Sequence, residues 1–175
     1  HSGAFRDCSS LTSVNIGNNV TTIGSSAFAR CTRLTSIVIP DSVTTIGDDA
    51  FYDCTSLTSI SVDENNPNYK SIDGNLYSKD GKTLIQYAIG KTATSFVIPD
   101  SVTTIGEYAF EDCTSLTSVT IGNNVTTIGS YAFYSCDNLT GVTFGENSLL
   151  TTIGDRAFAY CSSLTSIVIP DSVTT

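Results

Sequence analysis

Six cysteines are the residues best suited to chemistry in this 175-residue chain. They are Cys8, Cys31, Cys54, Cys113, Cys136 and Cys161. An even number of cysteines suggests disulfides in a secreted chain. A zinc site is less well supported, because there is no C-x-x-C spacing and the only histidine is residue 1. The cysteines recur at one equivalent position, where free cysteine packs as a small apolar residue. We therefore predict a ladder of buried, reduced cysteines, with disulfides or a metal as the alternatives.

Catalytic groups are sparse. A Ser-His-Asp triad lacks its base when the only histidine is His1. Paired carboxylates of the glycosidase type stay open on sequence alone, but the acidic residues fall mainly at turns, where capping and solubility explain them. The run Asp63-Glu64-Asn65-Asn66 suggests a calcium loop, although the EF-hand spacing is absent. We expect no enzymatic activity, no cofactor and no metal.

Charge narrows the classes of partner. The chain has 17 acidic and 8 basic residues and a net charge of -9. An acidic chain offers no electrostatic footprint for nucleic acid or for an anionic membrane surface. No apolar run approaches the ~18 residues typical of a spanning helix. We expect neither nucleic-acid binding nor membrane insertion.

The elements that position these residues come from an internal repeat of 23 residues. Successive cysteines are 23, 23, 59, 23 and 25 residues apart, and the gap of 59 contains one coil of 36 residues. A phenylalanine lies three residues before each cysteine: Phe5, Phe28, Phe51, Phe110, Phe133 and Phe158. A leucine lies three residues after each: Leu11, Leu34, Leu57, Leu116, Leu139 and Leu164. The chain is therefore a stack of like coils, each too small to bury its apolar face alone.

One coil illustrates the expected local structure. The β-branched end of Leu34–Ile39 predicts a short strand, which Pro40 ends because it lacks a ladder N–H. Gly47 is expected to allow a sharp bend, and Asp48 to cap a short helix through Cys54. The side chains expected in the core are Leu34, Ile37, Ile39, Val43 and Ile46. Seven parallel strands follow, at 14–16, 37–39, 60–62, 96–98, 119–121, 142–144 and 167–169.

The repeated motif L-x-x-I-x-I-P-x-S-V-x-x-I-G-x-x-A-F-x-x-C resembles the BspA-like class of leucine-rich repeats over essentially the whole chain. We predict an α/β solenoid, a right-handed leucine-rich repeat with about seven parallel strands on the concave face and short helices or turns on the convex face. One long repeat bears a hairpin. We expect a single domain over 1–175, with 66–91 inserted as that hairpin and both ends truncated within a repeat of a longer array.

The resemblance also implies a function. The resemblance implies that the chain comes from an extracellular protein of a host-associated microbe, either secreted or anchored to the cell surface. It also implies protein recognition or adhesion rather than catalysis. Uncapped terminal repeats would also allow end-to-end self-association, because exposed end strands can pair with another molecule.

The inserted segment, 66–91, is the first candidate binding surface. Its aromatic and basic side chains are Tyr69, Lys70, Tyr77, Lys79, Lys82 and Tyr87. Asp80-Gly81 between two apolar stretches predicts a hairpin turn. The alternative is a tolerated loop that only covers the sheet edge.

Two further surfaces follow from the strands and turns. The outward row consists of Asn15, Val38, Ser61, Val97, Thr120, Thr143 and Val168, and it has no charge or aromatic ring to anchor a partner. The alternative for this row is a smooth, weakly polar sheet. A second set of tyrosines, expected to be half-buried beside the core phenylalanines, offers a platform for glycan or protein: Tyr52, Tyr108, Tyr131, Tyr134 and Tyr160.

We predict a cell-surface or secreted interaction module that binds host extracellular-matrix proteins or other microbial surface proteins. The alternative is a structural spacer that projects another domain from the cell surface. Stacked Thr-Thr pairs such as Thr44-Thr45 also suggest binding to ice or a crystalline surface, although a turn role explains them more simply.

Overall fold

The computed structural model describes residues 1–175 and contains thirteen β-strands and no helix. The chain divides into two compact units. Unit 1 comprises residues 1–80 and 87–91, and unit 2 comprises residues 81–86 and 92–175. The single domain over 1–175 stays a prediction, so each unit is described by itself.

Unit 1 contains six strands: β1 Thr22–Ile23, β2 Ser36–Ile39, β3 Thr45–Ile46, β4 Ser59–Val62, β5 Tyr69–Ile72 and β6 Asn75–Ser78. Strands β2 and β4 pair in parallel, with Ile37 opposite Ile60. Strands β1 and β3 form a second parallel pair. Strands β5 and β6 form an antiparallel hairpin.

Unit 2 contains seven strands: β7 Thr83–Gln86, β8 Ser95–Val97, β9 Thr104–Ile105, β10 Ser118–Ile121, β11 Thr127–Ile128, β12 Gly141–Phe144 and β13 Thr152–Ile153. Strand β10 lies between β8 and β12, and both pairs are parallel. Strands β7, β9, β11 and β13 form a second parallel ladder in that order. Equivalent positions of the repeat face one another along both ladders, so the repeat sets the register.

Five of the seven predicted strands are present, as β2, β4, β8, β10 and β12. No strand forms at 14–16 or 167–169. The Thr-Ile dipeptides form strands rather than turns, so the turn role expected for the threonine pairs is wrong.

The core consists of the repeated apolar positions. Leu34, Ile37, Ile39 and Val43 are buried as predicted, and Ile46 is half-buried. Strand β2 ends at Ile39, and Pro40 begins a turn in which the Val43 N–H donates to the Pro40 carbonyl at 3.2 Å. Core phenylalanines of adjacent coils stack within each unit at centroid separations of 4.7 to 6.0 Å.

The helices predicted for the convex face are absent, and the α/β class is wrong. In their place each coil has a turn segment, such as 25–31, whose N–H groups alternate between two kinds of partner. Ala27 and Ala29 donate within the segment to carbonyls three residues earlier. Phe28 and Arg30 donate to carbonyls of the next coil at 2.8 and 2.7 Å. Ser26 and Arg30 have positive φ, which an α-helix does not allow.

The distance between successive coils explains why a turn segment forms in place of the predicted helix. Parallel strands lie about 4.8 Å apart, whereas an α-helix with its side chains is about 10 Å across. A turn segment that donates to its neighbour stacks at the strand spacing, so it keeps the coils in register on both sides. Ala50, Phe51 and Cys54 are spaced as on a helix face, but the turn segment buries the same three residues.

The repeated glycines are required by close approach. A Cβ added at Gly47 would lie 2.5 Å from the Ser25 nitrogen of the preceding coil, and one at Gly129 would lie 2.7 Å from the Glu107 nitrogen. Neither glycine has positive φ. The sharp bend expected at Gly47 is therefore not the reason for glycine there.

The hairpin of the inserted segment has its two-residue turn at Asp73-Gly74, since Ile72 pairs with Asn75. Both turn residues have positive φ, +50° and +72°, as the favoured hairpin turn requires. Asp80-Gly81, where the sequence predicts a turn, lies between β6 and β7, and Gly81 has a φ of +74°.

We expect Phe133→Ala to lower the free energy of unfolding by about 3–5 kcal/mol. Phe133 is fully buried and stacks between Phe110 and Phe158 at 4.7 and 5.1 Å. Urea denaturation measures the loss. Phe5→Ala is the control with a smaller expected cost, because Phe5 is 44% exposed. Equal costs for both would show that stacked burial does not set the contribution of the phenylalanine row.

Candidate functional site

The inserted segment contributes to the core more than the sequence predicts. Tyr77 and Tyr87 are 1% and 2% exposed, so both rings lie in the core rather than on the surface that the sequence predicts. Strand β6 buries three successive residues, Asn75, Leu76 and Tyr77, instead of alternating. Burial, and then the charge of Asp73, raises the pKa of the Tyr77 hydroxyl to about 12, so this phenol is neutral at physiological pH.

The other four predicted residues of the segment are more accessible. Tyr69 is half-buried, and its hydroxyl accepts a hydrogen bond from the Ile46 N–H at 3.1 Å. Lys70 is also half-buried, while Lys79 and Lys82 are exposed. Lys79 Nζ donates to the Glu64 carbonyl at 2.8 Å. The segment therefore presents lysines rather than the tyrosine–lysine surface that the sequence predicts.

Asn66 holds the inserted segment to the preceding coil. Its side-chain nitrogen donates to the carbonyls of Pro40 and Val43 at 2.8 and 2.9 Å. Its side-chain oxygen accepts from the N–H groups of Asn68 and Tyr69 at 2.9 and 2.8 Å. A fully buried amide with four hydrogen bonds is a structural clamp. The sequence signal was its place at the first inserted position.

The calcium loop suggested for Asp63–Asn66 receives no support from the geometry. Asp63 Oδ1 accepts from the Asn65 N–H at 2.9 Å and from the Asn65 side-chain amide at 3.2 Å. No group of three or more His, Cys, Asp or Glu side chains in the structure is placed to hold a metal ion.

We expect Asn66→Ala to destabilise the protein by about 3 kcal/mol or more, because the substitution leaves buried main-chain donors and acceptors unpaired. Asn65→Ala is the matched control next to it, and we expect a change within about 0.5 kcal/mol because Asn65 is exposed. Urea denaturation compares the two variants. Equal stability of the two variants would contradict the clamp.

The outward row has the placement that the sequence predicts. All seven residues of the row are exposed. In unit 1, Val38 pairs with Ser61 across β2 and β4. In unit 2, Val97, Thr120 and Thr143 lie opposite one another, and the Thr143 hydroxyl donates to the Thr120 hydroxyl at 3.2 Å. Three valines are more than half exposed, namely Val38, Val97 and Val168.

Four tyrosines of unit 2 form a contiguous surface, here named the tyrosine cluster: Tyr108, Tyr131, Tyr134 and Tyr160. Tyr108 and Tyr131 stack at 5.0 Å with 13° between the rings. The Tyr131 and Tyr134 rings are tilted by 57°, and the Tyr134 and Tyr160 rings by 78°. The Arg156 guanidinium lies 5.8 Å from the centroid of the Tyr131 ring. Arg156 was not singled out in the sequence, although it occupies the position in its coil that Tyr131 occupies one coil earlier.

The cysteines form the predicted ladder. Five are buried, and all six are free thiols. Four of the thiols donate to the phenylalanine carbonyl of the preceding coil at 3.0 to 3.2 Å: Cys31, Cys54, Cys136 and Cys161. Burial is the main reason that the pKa of the Cys54 thiol is raised to about 12. Cys8 is exposed, which differs from the prediction.

We expect a thiol reagent at about pH 8 to modify one cysteine rapidly in the native protein, because Cys8 is exposed and the other five thiols are buried away from the reagent. Cys8→Ser should abolish this fast phase. Under denaturing, non-reducing conditions six thiols should react. A count below six would contradict the reduced ladder.

Comparison with known proteins agrees with these features. The profile of the family described as "BspA type Leucine rich repeat region" matches six copies, over residues 1–92 and 85–175. The chain belongs to this family. The leucine-rich repeat fold is therefore confirmed, in an all-β form. No curated protein sequence matches the chain significantly.

Solved structures are similar over most of the chain. A leucine-rich cell surface protein from Faecalibacterium prausnitzii is 36% identical with a TM-score of 0.83, covering 99% of this chain. The match spans 45% of that protein's length. A leucine-rich repeat protein of T. pallidum is 28% identical with a TM-score of 0.57, over 98% of this chain and 71% of its own. The pneumococcal vaccine antigen PcpA, 23% identical with a TM-score of 0.59 over 89% of this chain and 53% of its own, shares the fold.

The first two of these proteins are described as leucine-rich or leucine-rich repeat proteins, and leucine-rich repeat proteins generally mediate protein interactions. The structure contains no helix that could span a membrane. The expectation that the chain is not an enzyme stays a prediction.

Proposed function

We propose that the chain is an extracellular, surface-associated adhesion module that binds host extracellular-matrix proteins or surface proteins of other microbes. Membership of the BspA-type family supports a protein-interaction role. The similarity to a leucine-rich cell surface protein supports the location.

The observation that carries this proposal is the outward row. Parallel pairing holds its residues in fixed register within each unit, and the side chains of the row are not used to build the core. Val38 and Val97 are 59% and 66% exposed. Pre-organised exposed side chains bind a partner at a low cost in conformational entropy, and repeated weak contacts on one cell surface act together through avidity.

A structural spacer is the second candidate. The outward row has no charged or aromatic side chain, whereas binding hot spots are enriched in Trp, Tyr and Arg. A spacer needs stability and length rather than a binding face.

We expect saturable binding of the chain to at least one member of a panel of immobilised extracellular-matrix proteins. Val38→Lys with Val97→Lys should weaken this binding at least fivefold, because charge replaces exposed apolar contact in each unit. Lys79→Ala with Lys82→Ala tests the inserted segment in parallel. Deleting 66–91 is unsuitable, because it removes the buried Asn66, Tyr77 and Leu84.

Biolayer interferometry measures these affinities, and melting temperatures serve as the control for folding. Loss of binding only in the Lys79→Ala with Lys82→Ala variant would move the site to the inserted segment. Absence of binding to every protein of the panel would contradict adhesion by this chain and favour the spacer.

A further inference from the structure

The tyrosine cluster of unit 2 combines backbone strain, ring geometry and charge in a way that neither the core nor the outward row explains. We propose that this cluster binds a lysine or arginine side chain from a basic segment of a partner protein. The inference rests on the proposed protein-binding function and adds the surface and the chemistry of the partner.

The backbone of the tyrosine cluster adopts an unfavourable conformation at three residues. Tyr108, Tyr131 and Tyr160 have φ values of +56°, +57° and +59°. The equivalent residues are Asp49 and Asp53 in one coil and Ser26 and Arg30 in another, and aspartate enters this left-handed region more readily than a bulky side chain. A strained conformation of this kind lowers stability. Burial does not compensate at Tyr160, because that side chain is 67% exposed.

The tyrosine rings are arranged in a way that suits a bound cation. Tyr131 and Tyr134 have centroids 5.5 Å apart, and Tyr134 and Tyr160 have centroids 5.1 Å apart. The large angles between these rings place the face of one beside the edge of the next, the arrangement of aromatic cages that bind cations. Arg156 already lies over the Tyr131 ring, so the surface accepts a guanidinium group from its own chain.

The net charge of unit 2 favours a basic partner over a neutral glycan. Unit 2 contains eight acidic residues and two basic ones, Lys82 and Arg156. Desolvation and the charges of Tyr160 and Glu111 raise the pKa of the Tyr134 hydroxyl, against an opposing effect of Arg156. The Tyr134 hydroxyl is therefore neutral at physiological pH. A unit with this net negative charge attracts a cationic segment over a distance, whereas a neutral sugar gains nothing from it.

The test uses a fluorescein-labelled peptide with three arginines separated by Gly-Ser, and fluorescence anisotropy measures its affinity. A peptide of the same length with citrulline in place of arginine keeps the shape and removes the charge. The protein variants are Tyr160→Leu, Tyr134→Leu with Tyr160→Leu, and Tyr52→Leu as the matched control. Tyr52 and Tyr134 each directly follow the core phenylalanine of their coil, and both are half-buried. None of the variants changes the net charge.

We expect the double variant to bind the arginine peptide about tenfold more weakly than the wild type, which corresponds to about 1.4 kcal/mol. Tyr52→Leu should stay within about twofold of the wild type, and the citrulline peptide should bind at least tenfold more weakly than the arginine peptide. If the double variant melts at a lower temperature, the exposed Tyr160→Leu alone should still weaken binding at least threefold.

Equal affinity in the wild type and both tyrosine variants would overturn the proposal, because net charge alone would then explain binding. No binding of the arginine peptide, or binding of a neutral oligosaccharide that the same variants lose, would also overturn it. The adhesion assay is read separately. A matrix protein that binds the double variant as well as the wild type would leave the proposed function standing and exclude this surface.

Discussion

Main-chain pairing between successive coils sets a repeat distance of about 4.8 Å along each stack, and the other features of the fold depend on it. A side chain at a given position meets the same residue type one coil away, within van der Waals reach. The phenylalanine rings stack nearly parallel, with interplanar angles of 4° to 8°. The cysteine thiols reach the phenylalanine carbonyl of the preceding coil for the same reason. Stability is thus a sum of interfaces between neighbouring coils.

This short distance also selects the backbone opposite the main strands. A helix hydrogen-bonds only within itself and is too wide to stack at the spacing of the strands. The turn segment forms half of its hydrogen bonds with the next coil, and it needs residues with positive φ to do so. Aspartate or serine fills these positions in several coils. Glycine at positions such as Gly47 and Gly129 has a different cause, since the neighbouring backbone occupies the space that a Cβ would need.

Positions outside the core are where coils differ, and these differences supply candidate recognition surfaces. The insertion brings its own core residues and its own buried amide, Asn66, so much of its added sequence is structural. The outward row varies only between small polar residues and valine. In the tyrosine cluster, aromatic rings stand at left-handed positions that aspartate, serine or arginine fill in other coils.

The sequence by itself determined the repeat, the β-strands of the inner coils, the turn at Pro40 and the burial of the phenylalanine and cysteine rows. These follow from a period of 23 residues, since like positions must stack. Only the tertiary structure decided between helix and turn at Ala50–Cys54, because both bury the same three side chains and only the distance to the next coil separates them. It also decided that Tyr77 and Tyr87 are buried while Tyr160 is exposed. Amphipathic tyrosine suits either environment, so its neighbours in adjacent coils determine its placement.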